Sequence, residues 1–152
     1  MEKVVDTAAR IELLEARAAI ADLVHGYAFN IRTGNAAACE QLFTEDAVFE
    51  VRERAGGAGI TQLRSTLTGR AAIMAYLTDG SSSRIRLAPL IQNLMVRVSG
   101  REATSTSAMI AFVLPHGKGI IGEYEDNFRY EERWRFCYRI YTILGEVSNA
   151  NE

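Results

Sequence analysis

The stretch AAIADLVHGYAFNIRTGNAAACEQLFTEDAVFEVR, Ala18 to Arg52, reads as a long amphipathic helix, a tight break, a short helix and then a strand. Apolar residues recur at Leu13, Ile20, Leu23, Val24, Tyr27 and Ile31, steps of three, four and seven that keep one helix face buried. Asp6 or Thr7 can cap the start, because a short side-chain oxygen accepts from the free amides of a first turn. Gly34 can take the left-handed conformation that ends the helix, and Asn35 can cap the following AAACEQLF turn. From Ala47 to Arg54 the pattern alternates, with Phe49 and Val51 on one side and Val48, Glu50 and Arg52 on the other. A helix with a wide apolar stripe, followed at once by a two-faced strand, predicts a lid laid across a curved sheet with a small-molecule cavity beneath it.

Downstream, AGGAG (Ala55 to Gly59) is a flexible connection to a strand from Ile60 to Thr68, and no Gly-Lys-Ser/Thr follows to make it a phosphate loop. GRAAIMAYL (Gly69 to Leu77) predicts a third helix with Ile73, Met74 and Leu77 inward. From Arg86 the chain turns to β character: Ile91 to Ser99, Ala103 to Leu114, Ile120 to Tyr130 and Trp134 to Leu144, with short polar turns between them. Consecutive strands joined so tightly pair antiparallel, since parallel neighbours need a long crossover. Helices first and a meander afterwards make an α+β fold.

With 152 residues the chain fits one domain spanning 1–152, and 48% hydrophobic with 24% charged residues is an ordinary globular composition. Seventeen basic residues stand against nineteen acidic ones without a basic stripe, so a nucleic-acid partner is not expected. The longest apolar run, Ala108 to Leu114, is too short to span a membrane, and MEKVVDTAAR lacks the pattern of a signal peptide, which leaves a cytoplasmic location as the expectation. Cys39 and Cys137 stand apart with no CxxC and no histidine cluster, which argues for buried thiols and for neither a metal nor a cofactor.

The pieces RAAIADLVHGYA, GNAAACEQLFTEDAVFE, GRAAIMAYL and GEYEDNFRYEERWRFCYR, which cover nearly the whole chain, resemble the SnoaL-like branch of the nuclear transport factor 2-like superfamily. That superfamily includes scytalone dehydratase and ketosteroid isomerase. The resemblance implies three helices on a strongly curved, mostly antiparallel sheet, a cone-shaped roll with an internal pocket, and a homodimer through the outer sheet face. It also departs from the family at the chemistry. Where scytalone dehydratase-like members carry Tyr-Asp at the end of the first helix, this chain has Ile31 and Arg32. Their second tyrosine falls on Val51, their pocket histidines near Ala88 and Ser107, and their hairpin asparagine near Tyr124.

The candidate residues follow from position and chemistry. His25 lies opposite the apolar stripe and should face solvent, and His116 falls in a turn, Pro-His-Gly-Lys-Gly. Tyr27 can pack its ring and aim its hydroxyl into the pocket as an acid–base group. Arg32 can hold an anionic ligand or simply sit solvated at a helix C-terminus. Tyr124, Asp126 and Phe128 share one strand face. Asp126 is either a general base with an acidity shifted by burial or one half of an ion pair with Arg139. Asn93 and Ser107 can hydrogen-bond a bound carbonyl, and Met109 can line the site. Two functions stand. One is binding or transformation of a small hydrophobic metabolite by cofactor-free acid–base chemistry, of isomerase, cyclase or dehydratase type. The other is a non-catalytic binding or accessory role, such as a dioxygenase β-subunit-like partner.

Overall fold

A computed structural model describes residues 6–57, 59–82, 86–115 and 117–147. His116 lies outside the described residues. Helix α1 runs Thr7–Arg32, a 3-10 segment Ala36–Leu42, strand β1 Phe43–Arg54, β2 Thr61–Thr68, helix α2 Arg70–Ser82, then β3 Arg86–Ser99, β4 Glu102–Leu114, β5 Lys118–Glu131 and β6 Arg133–Val147. The six strands form one sheet in the order β2-β1-β6-β5-β4-β3. It is not closed: β2 and β3 are its edges. Neighbours pair antiparallel except β1 and β6, which are far apart in sequence and run parallel. The α+β expectation of helices on a mostly antiparallel sheet describes this architecture.

Local chemistry sets the boundaries. The Asp6 side chain accepts from the Ala8 amide at 3.4 Å, and Gly34 at φ 77° turns the chain out of α1. Asn35 makes no side-chain cap; its carbonyl instead accepts from the Ala38 amide at 3.1 Å, as the tighter 3-10 turn requires. The lid face of α1 begins later than the periodicity implies. Ile20, Leu23, Val24, Tyr27 and Ala28 are buried, whereas Leu13 is 44% exposed along with Ile11 and Leu14, because the core packs only against the C-terminal half of the helix. His25 is exposed, as its angle on the helix predicts.

β3 starts five residues earlier than expected and contains Pro89, which an edge strand tolerates because a missing N–H there breaks no interior ladder. β5 alternates as read, with Tyr124, Asp126 and Phe128 buried and Glu123, Glu125 and Asn127 exposed. β6 does not. Phe136 pairs with Phe128 and Tyr138 with Asn127, so Cys137 is an extra residue in a bulge. The bulge resets the alternation: Trp134 and Phe136 face inward, Tyr138 faces outward, and Arg139 and Tyr141 face inward again. Strict two-residue alternation from Trp134 would put Arg139 and Tyr141 on the face opposite Phe136; the bulge puts all three on the same face. Tyr138 instead donates its hydroxyl to Glu50, which also accepts from Arg52 Nε at 2.8 Å, on the outer face.

Candidate active site in the cavity under the first helix

A cavity of about 440 Å³ opens between the helices and the inner sheet face. Ile31 from α1, Leu77 from α2, Phe49 from β1, Pro89 from β3 and Ala111 from β4 make its apolar wall. Its polar content is concentrated in phenols: Tyr27, Tyr76, Tyr124 and Tyr141 all line it. The Tyr27 and Tyr124 rings meet edge to face at 6.2 Å, and Tyr124 and Tyr141, paired across β5 and β6, lie 5.2 Å apart. The Tyr141 hydroxyl is buried without a hydrogen-bond partner. Burial pushes the Tyr27 phenol well above its ordinary value, and Tyr124 beside it pushes the same way while Arg139 pulls back. Burial likewise raises Tyr124 and Tyr141. All three are therefore protonated at neutral pH. Asp79, exposed on α2, brings a carboxylate to the same cavity.

Of the residues singled out from the sequence, Tyr27, Tyr124 and Met109 line the cavity. Asp126 lies two residues along β5 from Tyr124, 1% exposed and outside the cavity wall. Its Oδ1 is 3.1 Å from Arg139 Nε, both side chains fully buried, and its Oδ2 accepts from Ser105 Oγ at 3.4 Å. The ion pair of Asp126 with Arg139 is thus present in the structure. Ser107, paired with Tyr124 on β4, is buried with an unpartnered hydroxyl but does not reach the cavity wall. Arg32 donates from Nη1 to the Pro89 carbonyl at 3.5 Å, beside the cavity but not lining it. Asn93 is exposed at φ 51°, where a bulge in β3 turns its side chain to solvent.

Tyr76, Asp79 and Tyr141 also line the cavity, and no local sequence signal marks them. The alternation that exposed Tyr124 hides Tyr141, since only the bulge at Cys137 brings it to the same face. Among the described residues no group of three or more His, Cys, Asp or Glu is placed to hold a metal ion, and no helix is long and apolar enough to cross a membrane.

Burial pushes the Asp126 carboxyl up to about 6, against the pull of Arg139. A raised folded-state value means that its contribution to stability is complete below the ordinary value of 3.8 and is lost as pH rises through about 6. The stability advantage of the wild type over Asp126→Asn, which cannot titrate, should shrink between pH 4 and pH 6.5 in urea denaturation; a flat difference contradicts this.

The fold has solved counterparts. An NTF2-like protein with a cystatin-like fold from Novosphingobium aromaticivorans superposes with a TM-score of 0.71 at 25% identity, over 94% of this chain and 91% of that one. A function-unknown protein from Mycobacterium tuberculosis gives 0.70 at 26% identity, over 87% and 73%. The hexachlorocyclohexane dehydrochlorinase LinA-type3 from Novosphingobium barchaimii gives 0.72 at 16% identity, over 94% and 96%, a likeness of fold alone. No curated protein matches the chain. Residues 12–140 match the family model for the SnoaL-like domain, a span that takes in most of the lid helix, every cavity-lining residue except Tyr141 and the Asp126–Arg139 pair, and the chain therefore belongs to the SnoaL-like family.

Proposed function

We propose that this chain binds a small, largely apolar molecule with a carbonyl, enol or phenol oxygen, and acts on it by cofactor-free acid–base chemistry of the isomerase, cyclase or dehydratase kind. The observation that carries the reading is the set of protonated phenols, Tyr27, Tyr124 and Tyr141, on the wall of one apolar cavity. A cavity of about 440 Å³ falls in the range that encloses a ligand of a few rings. Hydroxyls held in low dielectric strengthen as charge develops on an oxygen they donate to, which favours enolisation or loss of a leaving group. In this reading Tyr27 and Tyr124 are donors at the ligand, Asp79 at the rim is the proton acceptor, and Asp126 works through Arg139. The dehydrochlorinase on the same fold does not choose among these reactions, since fold alone does not fix chemistry.

The test is calorimetric titration with 2-naphthol and its hydrocarbon isostere, naphthalene. Naphthol should bind roughly tenfold tighter, and a Tyr27→Phe/Tyr124→Phe double variant should lose most of that difference while still binding naphthalene. If neither compound binds, or the difference survives in the double variant, the reading is wrong.

A cytoplasmic homodimer through the outer sheet face belongs to the same proposal. Leu90, Phe112 and Ile121 are each about 40% exposed. Ile110 and Phe112 alternate with the cavity-lining Met109 and Ala111, and Leu90 and Ile121 pair with Ile110, so the patch points away from the cavity. Light scattering should report twice the 16.8 kDa chain mass, and Phe112→Glu should halve it; a wild-type monomer overturns this.

A further inference from the structure

Arg139 is fully buried, yet its Nη1 and Nη2 have no hydrogen-bond partner, and among the described residues its charge partner is Asp126, 3.1 Å from Nε and off the hydrogen-bonding line. The rest of the guanidinium is packed on aromatic faces. Its Cζ is 3.7 Å from the Tyr124 ring centroid, 4.2 Å from Tyr27 and 4.5 Å from Phe136. An arginine kept only for packing would be a costly choice here, because unspent N–H donors in low dielectric carry an unfavourable desolvation that an apolar residue avoids. What this arrangement supplies is a positive charge stacked on the rings of two phenols that line the cavity.

Resting on the reading of the cavity as a ligand site, we propose that Arg139 makes it select weakly acidic ligands, phenols and enols, in their ionised form. The cation draws electron density from the Tyr124 and Tyr27 rings and raises the potential at their hydroxyls, so they donate more strongly to an anionic oxygen than to a neutral one. The pair is oriented for this effect. Arg139 pulls the pKa of both phenols down against the larger, upward effect of burial, and Asp126 pushes that of Tyr124 back up. The guanidinium is the end of the pair that packs on the cavity-lining Tyr27 and Tyr124, and Asp126 sets how much of its charge is felt there. Arg139 is a positioning residue that acts through the tyrosines without touching the ligand.

The experiment titrates bound 4-nitrophenol, whose ionised form absorbs in the visible, with nitrobenzene as a neutral probe of the same cavity. Wild-type protein should bind the phenolate roughly tenfold tighter than the phenol, seen as a downward shift of the bound probe's pKa by about one unit. Arg139→Met should abolish that preference while leaving nitrobenzene affinity within about twofold, since it removes charge and keeps bulk. Asp126→Asn should move the preference the other way and increase it, because the neutralising charge is gone, and it tests the inference even if Arg139→Met does not fold. A purely structural Arg139 predicts equal preference in every folded form. That result, or a wild type that prefers the neutral phenol, overturns the inference and leaves the cavity reading standing. If neither probe binds, the cavity reading fails and the inference fails with it.

Discussion

Phe136→Ala is expected to lower the unfolding free energy by about 3–5 kcal/mol, the range for removing a buried aromatic ring from a core that cannot collapse around the gap. Phe136 is fully buried at the centre of the aromatic cluster under α1, with Phe128 at 5.0 Å, Phe43 at 5.2 Å and Tyr27 at 6.1 Å between ring centroids. It ties β5, β1 and the lid helix to β6, so no single neighbour can move in to fill the space. Its ring is also one of the three faces holding Arg139. Urea denaturation of wild type, Phe136→Leu and Phe136→Ala should show the leucine variant far less affected than the alanine variant, as cost follows lost volume. A loss below about 1 kcal/mol for alanine would mean that the core is not centred on this ring.

Gly122→Val is expected to act on both stability and binding. A Cβ added at Gly122 would come within 2.7 Å of a Tyr141 ring carbon, 3.0 Å of the Thr142 carbonyl oxygen and 3.2 Å of the Met109 methyl. The carbonyl belongs to the backbone and cannot yield cheaply, so the displacement passes to Tyr141 and Met109, which are walls of the cavity. Overpacking of this kind costs typically about 1–3 kcal/mol, and here it also narrows the ligand site, so affinity for 2-naphthol should drop more than about tenfold. Gly145→Ala is the control, since a Cβ there meets nothing within 4 Å, and its effect should stay within about 0.5 kcal/mol. Equal behaviour of the two glycines would contradict this account of how β5 admits Tyr141.

These two sites also mark how far the sequence is legible. The lid helix is readable because its signals are local: a capping aspartate, a 3.6-residue apolar period and a glycine at the end. The face of β5 is readable because Tyr124, Asp126 and Phe128 alternate without interruption. β6 is not, because one extra residue at Cys137 shifts the side chains from Tyr138 to Ile143 to the other face, and a bulge leaves no mark in a hydrophobic pattern. The role of Asp126 depends on that shift. Strand alternation can bury a carboxylate, but only cross-strand register puts Arg139 beside it, and so the choice between base and ion pair stays open until the register is known. Asn93 illustrates the same limit on β3, where a bulge turns a candidate ligand contact to solvent. Leu13 shows the converse: helical periodicity continues past the point where there is a sheet to pack against.

We propose that Tyr27 and Tyr124, with Tyr141 beside them, hold a ligand oxygen inside the cavity. A crystal structure of the chain with 2-naphthol tests it most directly. The account predicts the rings enclosed under α1 with the naphthol oxygen about 3 Å from at least one of these three tyrosine hydroxyls. A naphthol bound outside the cavity, or inside it with its oxygen turned away from all three, would contradict it.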